Sequence, residues 1–126
     1  PMILLKVKLC CGDSSVTVTS AGRVIRIYTE DILYICLAKR GCSIYVARQG
    51  EIDEIHCKES LGDLYERLAG RGFEYAHNSY IVNLKYVKKL YSEELKLVDG
   101  QVLSVSRTKI KNLRKQVTEY FERKYR

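Results

Sequence analysis

The chain has 126 residues, enough for one hydrophobic core and too few for two ordinary domains. With 46% hydrophobic and 29% charged residues it has the composition of a folded domain rather than a disordered one, and no apolar run approaches the roughly 20 residues that span a bilayer. The net charge of +7, from 22 basic and 15 acidic side chains, favours an anionic partner (nucleic acid, an acidic protein or a membrane surface) without choosing among them.

The five cysteines are Cys10, Cys11, Cys36, Cys42 and Cys57. The number is odd and no C-x-x-C pair occurs, so neither a disulfide framework nor a zinc site is expected. Reduced thiols in a reducing cytosol follow, with Cys36 as a small core residue. No metal or cofactor is implied.

In chain order, Ile3 to Leu9 is apolar with lysines at period two, which predicts a strand rather than a signal peptide. Val16 to Thr19 alternates, and Arg23 to Tyr28 mixes basic and apolar residues in the same strand-like way. Ile32 to Leu37 is almost continuously apolar, the pattern of a central strand buried on both faces. Ser43 to Ala47 and Glu51 to Cys57 form a hairpin around Arg48-Gln49-Gly50. The first helix starts at Ser60, a capping residue with Asp63 three positions on, and carries Leu61, Leu64, Tyr65 and Leu68 on one stripe until Gly70-Arg71-Gly72 ends it. Phe73 to Ala76 is extended. Val87 to Tyr91, Leu95 to Val98 and Val102 to Val105 are short strands, the last two joined by the hairpin pair Asp99-Gly100. From Thr108 to Arg126 the chain is helical, with Ile110, Leu113, Val117, Tyr120 and Phe121 on one face. Counted from Arg107, eight Lys and Arg stand against Glu119 and Glu122, 8 − 2 = +6, so most of the excess charge lies in this basic tail. The fold class expected is mainly β with short helices.

The stretch from Phe73 through His77-Asn78-Ser79-Tyr80-Ile81-Val82-Asn83 resembles the signature of the LytTR (LytR/AgrA-type) DNA-binding domain family. Glu30-Asp31-Ile32-Leu33-Tyr34-Ile35, the helix at Ser60 to Leu68, and Asp99-Gly100 followed by Leu103-Ser104-Val105-Ser106-Arg107 are similar to the family's other features, in the same order. The resemblance runs over about residues 14–118. It implies one domain over 1–126, an antiparallel β-β-β sandwich of small sheets, and a C-terminal basic helix at 108–126.

The resemblance also implies a cytoplasmic, bacterial transcription regulator: the output domain of a two-component response regulator, with its upstream receiver domain absent from this chain. It implies sequence-specific binding of double-stranded DNA at direct repeats in promoters, as a homodimer on the DNA, by loops that enter major grooves and bend the duplex. Carried over by position, base contacts fall to Asn78, to Arg107 and, in the loop between Leu37 and Ser43, to Cys42 or a neighbour. Many members have Arg where this chain has Ala76 and again where it has Asn78, which bears on the sequence preferred.

The side-chain chemistry suits that use. Arg107 can pair bidentately with guanine and Asn78 with adenine in the major groove. Lys39, Arg40, Ser79, Tyr80, Lys85, Ser106, Lys109 and Lys111, with Arg114, are candidate phosphate contacts. Plainer roles stay open: Arg107 as a solvated cation at a helix start, Asn78 as a helix cap or turn residue, His77 as a structural hydrogen-bonding group or a contact, and Asn83 as a side chain bonding backbone. Cys57 with His77 lacks a recognisable oxyanion loop or orienting acid, so an enzyme is not expected. The alternative function is a protein-interaction module that uses the amphipathic C-terminal helix.

Overall fold

The computed structural model describes residues 15–124; the strand expected at Ile3 to Leu9, with Cys10 and Cys11, lies outside them. The described residues form three antiparallel sheets and two helices. A two-stranded sheet pairs β1 (Ser15–Ser20) with β2 (Arg23–Tyr28). The central sheet contains β3 (Ile32–Leu37), β4 (Cys42–Arg48), β5 (Glu51–Cys57), β6 (Phe73–His77) and β7 (Tyr80–Asn83), in the spatial order β5-β4-β3-β7-β6. A three-stranded sheet, β10-β9-β8, is made of β8 (Val87–Leu90), β9 (Glu94–Leu97) and β10 (Val102–Ser104). Helix α1 (Leu61–Leu68) follows β5, and α2 (Arg107–Lys124) ends the described chain. No helix among the described residues is long and apolar enough to cross a membrane.

The central sheet is the middle layer of the sandwich. One core lies between it, the β1-β2 hairpin and α1, and holds Val18, Ile27, Ile35, Ile44, Val46, Leu64, Leu68, Phe73 and Ile81. The other gathers Leu33, Tyr34, Ala76, Val82, Leu95 and Leu97 with Leu113 and Val117 of α2. β3 feeds both, Ile32 and Ile35 into the first and Leu33 and Tyr34 into the second, which is the physical reason its sequence is apolar throughout. Each such side chain withdrawn from water contributes about 1.5–3 kcal/mol before the entropy of ordering is set against it.

Local signals place most elements. Ser60 caps α1, its Oγ accepting from Asp63 N at 3.1 Å. The hairpin between β4 and β5 turns through Gln49 and Gly50 at φ 51° and 81°, the left-handed pair that a two-residue turn demands. β7 has no alternation to announce it, because all four of its residues are buried between β3 and β6. Cys36 is half-buried against the second core, and among the described residues Cys42 and Cys57 are cysteines with no exposed surface.

Asn83 ties the layers together at the far end of β7. Its Nδ2 donates to the carbonyls of Ile32 (2.8 Å) and Thr29 (3.2 Å), and its Oδ1 accepts from Lys85 N at 3.0 Å. With the side chain only 4% exposed, water cannot replace those bonds. Asn83→Ala is therefore expected to cost about 2–3 kcal/mol, read as a lower urea midpoint with an unchanged m-value.

Candidate nucleic-acid interface

One end of the central sheet collects segments that are far apart in sequence. β3 stops at Leu37, whose N–H donates to Ser79 O at 2.7 Å, so the β3-β4 turn lies beside the β6-β7 turn. The first turn is closed by Ala38 N donating to Gly41 O at 3.0 Å. On the other side Ser106 N donates to Ala76 O at 3.0 Å, which fixes the start of α2 against the end of β6. Val105 N donates to Glu93 O at 2.8 Å and brings the β8-β9 turn to the same end. Lys39, Arg40, Asn78 and Arg107 are exposed there; His77, Ser79, Ser106 and Lys109 are half-buried, and Lys111 is exposed one turn into the helix.

The geometry separates several roles that the sequence leaves open. Asn78 sits in the β6-β7 turn, away from any helix start, and its φ is not positive, so neither capping nor backbone strain explains an asparagine there. Among the described residues its side chain has no hydrogen-bond partner, and Arg107, Lys39, Arg40 and Lys111 likewise have no ion pair or side-chain hydrogen bond. Arg107 opens α2, whose first turn contains no acidic residue. A cation at a helix N-terminus is mildly unfavourable, and an anion arriving at this end would relieve both charges.

His77 holds the turn. Its Nδ1 accepts from Ser79 N at 3.2 Å and lies 2.9 Å from Ser79 Oγ, and its ring stacks on Tyr80 with centroids 5.4 Å apart. Because a backbone N–H can only donate, Nδ1 is the accepting nitrogen in its bond with Ser79 N. Ser106 Oγ lies 3.2 Å from Thr108 Oγ1, and Lys109 Nζ stands 5.0 Å over the Tyr75 ring.

Three expected contacts do not reach this end as exposed groups. Cys42 begins β4 as the register partner of Cys57, and its side chain has 0% exposure, so it cannot touch a base edge; Lys39 and Arg40 are what this turn offers instead. The Tyr80 hydroxyl is buried without a hydrogen-bond partner, out of reach of a phosphate. Lys85 follows β7 at the opposite end of the sheet, with its ammonium over the ring of Tyr86 at 5.5 Å. Cys57 and His77 sit on β5 and β6, the two edges of the sheet, about four strand spacings or ~19 Å apart, so they cannot act as nucleophile and base. Among the described residues no three His, Cys, Asp or Glu side chains are grouped to hold a metal ion. Tyr91, 47% exposed beside the β8-β9 turn, is brought to this end by the Val105–Glu93 bond, for which the sequence has no local signal.

The sequence profile of the LytTr DNA-binding domain matches residues 22–118, well over half the chain and inclusive of every turn at this end. The chain belongs to the LytTr DNA-binding domain family. A solved LytTr DNA-binding domain, from a Bacillus cereus protein described as a methyl-accepting/DNA response regulator, is similar at 25% identity with a TM-score of 0.64, covering 84% of this chain and 98% of that one. No curated protein matches the chain.

In this LytTr domain the β3-β4 turn depends on Gly41. It has φ +88°, and a Cβ there would stand 1.9 Å from Cys57 O, a backbone atom that cannot swing away. Gly41→Ala is expected to displace the turn and lower the melting temperature, while Gly50→Ala, at an equally positive φ but in open space, costs less. Burial, with the neighbouring Cys57 thiol adding to it, pushes the Cys42 thiol from 9.0 up to about 11. Between those values the folded chain holds a proton that the unfolded chain has released, so stability falls as pH rises through that window. A lower urea midpoint at pH 10 than at pH 8, reduced in Cys42→Ala, is the expected outcome.

Proposed function

We propose that this domain binds double-stranded DNA sequence-specifically as the output domain of a bacterial, cytoplasmic transcription regulator of the two-component type. The observation that carries this reading is the convergence of the β3-β4 turn, the β6-β7 turn and the start of α2 at one sheet end, each presenting exposed polar or basic groups. The turns enter the major groove, where Asn78 reads adenine and Arg107 reads guanine through paired hydrogen bonds. Lys39, Arg40, Ser79, Ser106, Lys109 and Lys111 grip phosphates on either side and set the register. Because these groups lie on separate turns across the width of the sheet, the duplex bends to meet them all, and paired direct repeats seat two copies.

Selection of bound sequences from a randomised duplex pool, followed by fluorescence anisotropy on the enriched duplex, tests this. Arg107→Ala is expected to erase preference at one base pair, a loss of about 1–3 kcal/mol on the preferred sequence and little on others. Lys111→Ala is expected to weaken all sequences alike and to lower the salt slope by about one. A folded domain that enriches no motif would sink this reading in favour of an interaction module built on α2.

A further inference from the structure

The charge of the domain is polarised across the central sheet. β5 is an edge strand, and no described strand pairs along its outer side. It carries Glu51, Asp53 and Glu54, all exposed, in a chain whose net charge is +7. Ile52, 47% exposed, sits among them. At the other edge α2 runs along β6, with Asn112 Nδ2 on Glu74 Oε1 at 3.3 Å. The outer face of α2 exposes Lys111, Arg114 and Lys115. Arg114 and Lys115 lie seven and eight residues into the helix from Arg107, about 10–12 Å from the turn end and one turn beyond Lys111, so this face borders the groups proposed to meet DNA.

We propose that β5 of one copy docks on α2 of a second copy, head to tail. The two surfaces are opposite in charge, and β5 and β6, the strand α2 runs along, are the two edges of the sheet, about 19 Å apart, so the surfaces satisfy each other only between molecules. A two-fold dimer through either edge would set acid against acid or base against base; the same acids keep two β5 edges from pairing with each other. A head-to-tail contact leaves one β5 and one α2 unmet at each addition, so copies add in a row until the row ends or closes into a ring. Using that row on DNA rests on the function proposed above; the contact between copies does not.

The test is sedimentation velocity of the chain alone, without DNA, at low and high salt and rising protein concentration. The average size is expected to climb past that of a dimer at low salt and to fall back to monomer at high salt. D53K/E54K and R114E/K115E should each weaken association about tenfold, the scale of a few exposed ion pairs. D53N/E54Q, gentler on the strand, should give a smaller loss in the same direction. The chain with all four reversals has the original net charge of +7 and its two surfaces exchanged, and should associate like the parent. A parent chain that stays monomeric at low salt would overturn the proposal. So would reversed pairs that associate as well as the parent, or a four-residue exchange that is folded by circular dichroism yet monomeric. None of these outcomes bears on DNA affinity, which the selection experiment measures separately.

Discussion

The pairing of β3 with β7 joins parts of the chain more than 40 residues apart and organises the rest. Tyr34, Ile35 and Cys36 lie opposite Val82, Ile81 and Tyr80, and the ladder continues past the strand end as Leu37 N donating to Ser79 O. At the other end Asn83 bonds the carbonyls of Ile32 and Thr29. The register of β7 on β3 is thus pinned at both ends. A slip by one residue would turn Ile81 out of one core and Tyr80 and Val82 out of the other.

That constraint explains how a β domain presents a polar surface without a dedicated recognition helix. The turns at Ala38–Gly41 and Asn78–Ser79 are short, and each is the end of a strand with both faces covered. Their backbones are held by hydrogen bonds to neighbouring segments, so their exposed side chains start from fixed positions and little entropy remains to be lost on binding. Buried groups next to the turns do the holding. Gly41 lets the chain pass against Cys57, and His77 braces Ser79. The Cys42 thiol contributes packing, with its ionised form disfavoured by burial.

The same arrangement gives the domain two unlike edges. A five-stranded sheet that stays open must end somewhere. Here one end is an acidic strand and the other is flanked by a basic helix. Composition reports only the sum of these charges; their separation is a consequence of strand order.

Much of the architecture was legible in the sequence because it rests on local chemistry. The run Ile32 to Leu37 announces a strand covered on both sides, Ser60 with Asp63 announces a helix start, and Gly50 and Gly100 mark turns with positive φ. Asn78 and Arg107 were likewise reachable from their place in the motif, as candidates. Spatial neighbours were not. Lys85 follows the motif by two residues yet lies at the opposite end of the sheet, because β7 carries the chain away from the turn. Cys42 stands one residue from a turn yet is sealed from solvent, because strand periodicity does not say which face a strand's first side chain joins. Burial of the Tyr80 hydroxyl and the joining of the β8-β9 turn to the start of α2 depend on contacts between strands. Period, caps and turn residues are properties of adjacent positions and can be read in one dimension; which turns share an end, and which side chains reach water there, depends on strand order and register, which exist only once the sheets have assembled.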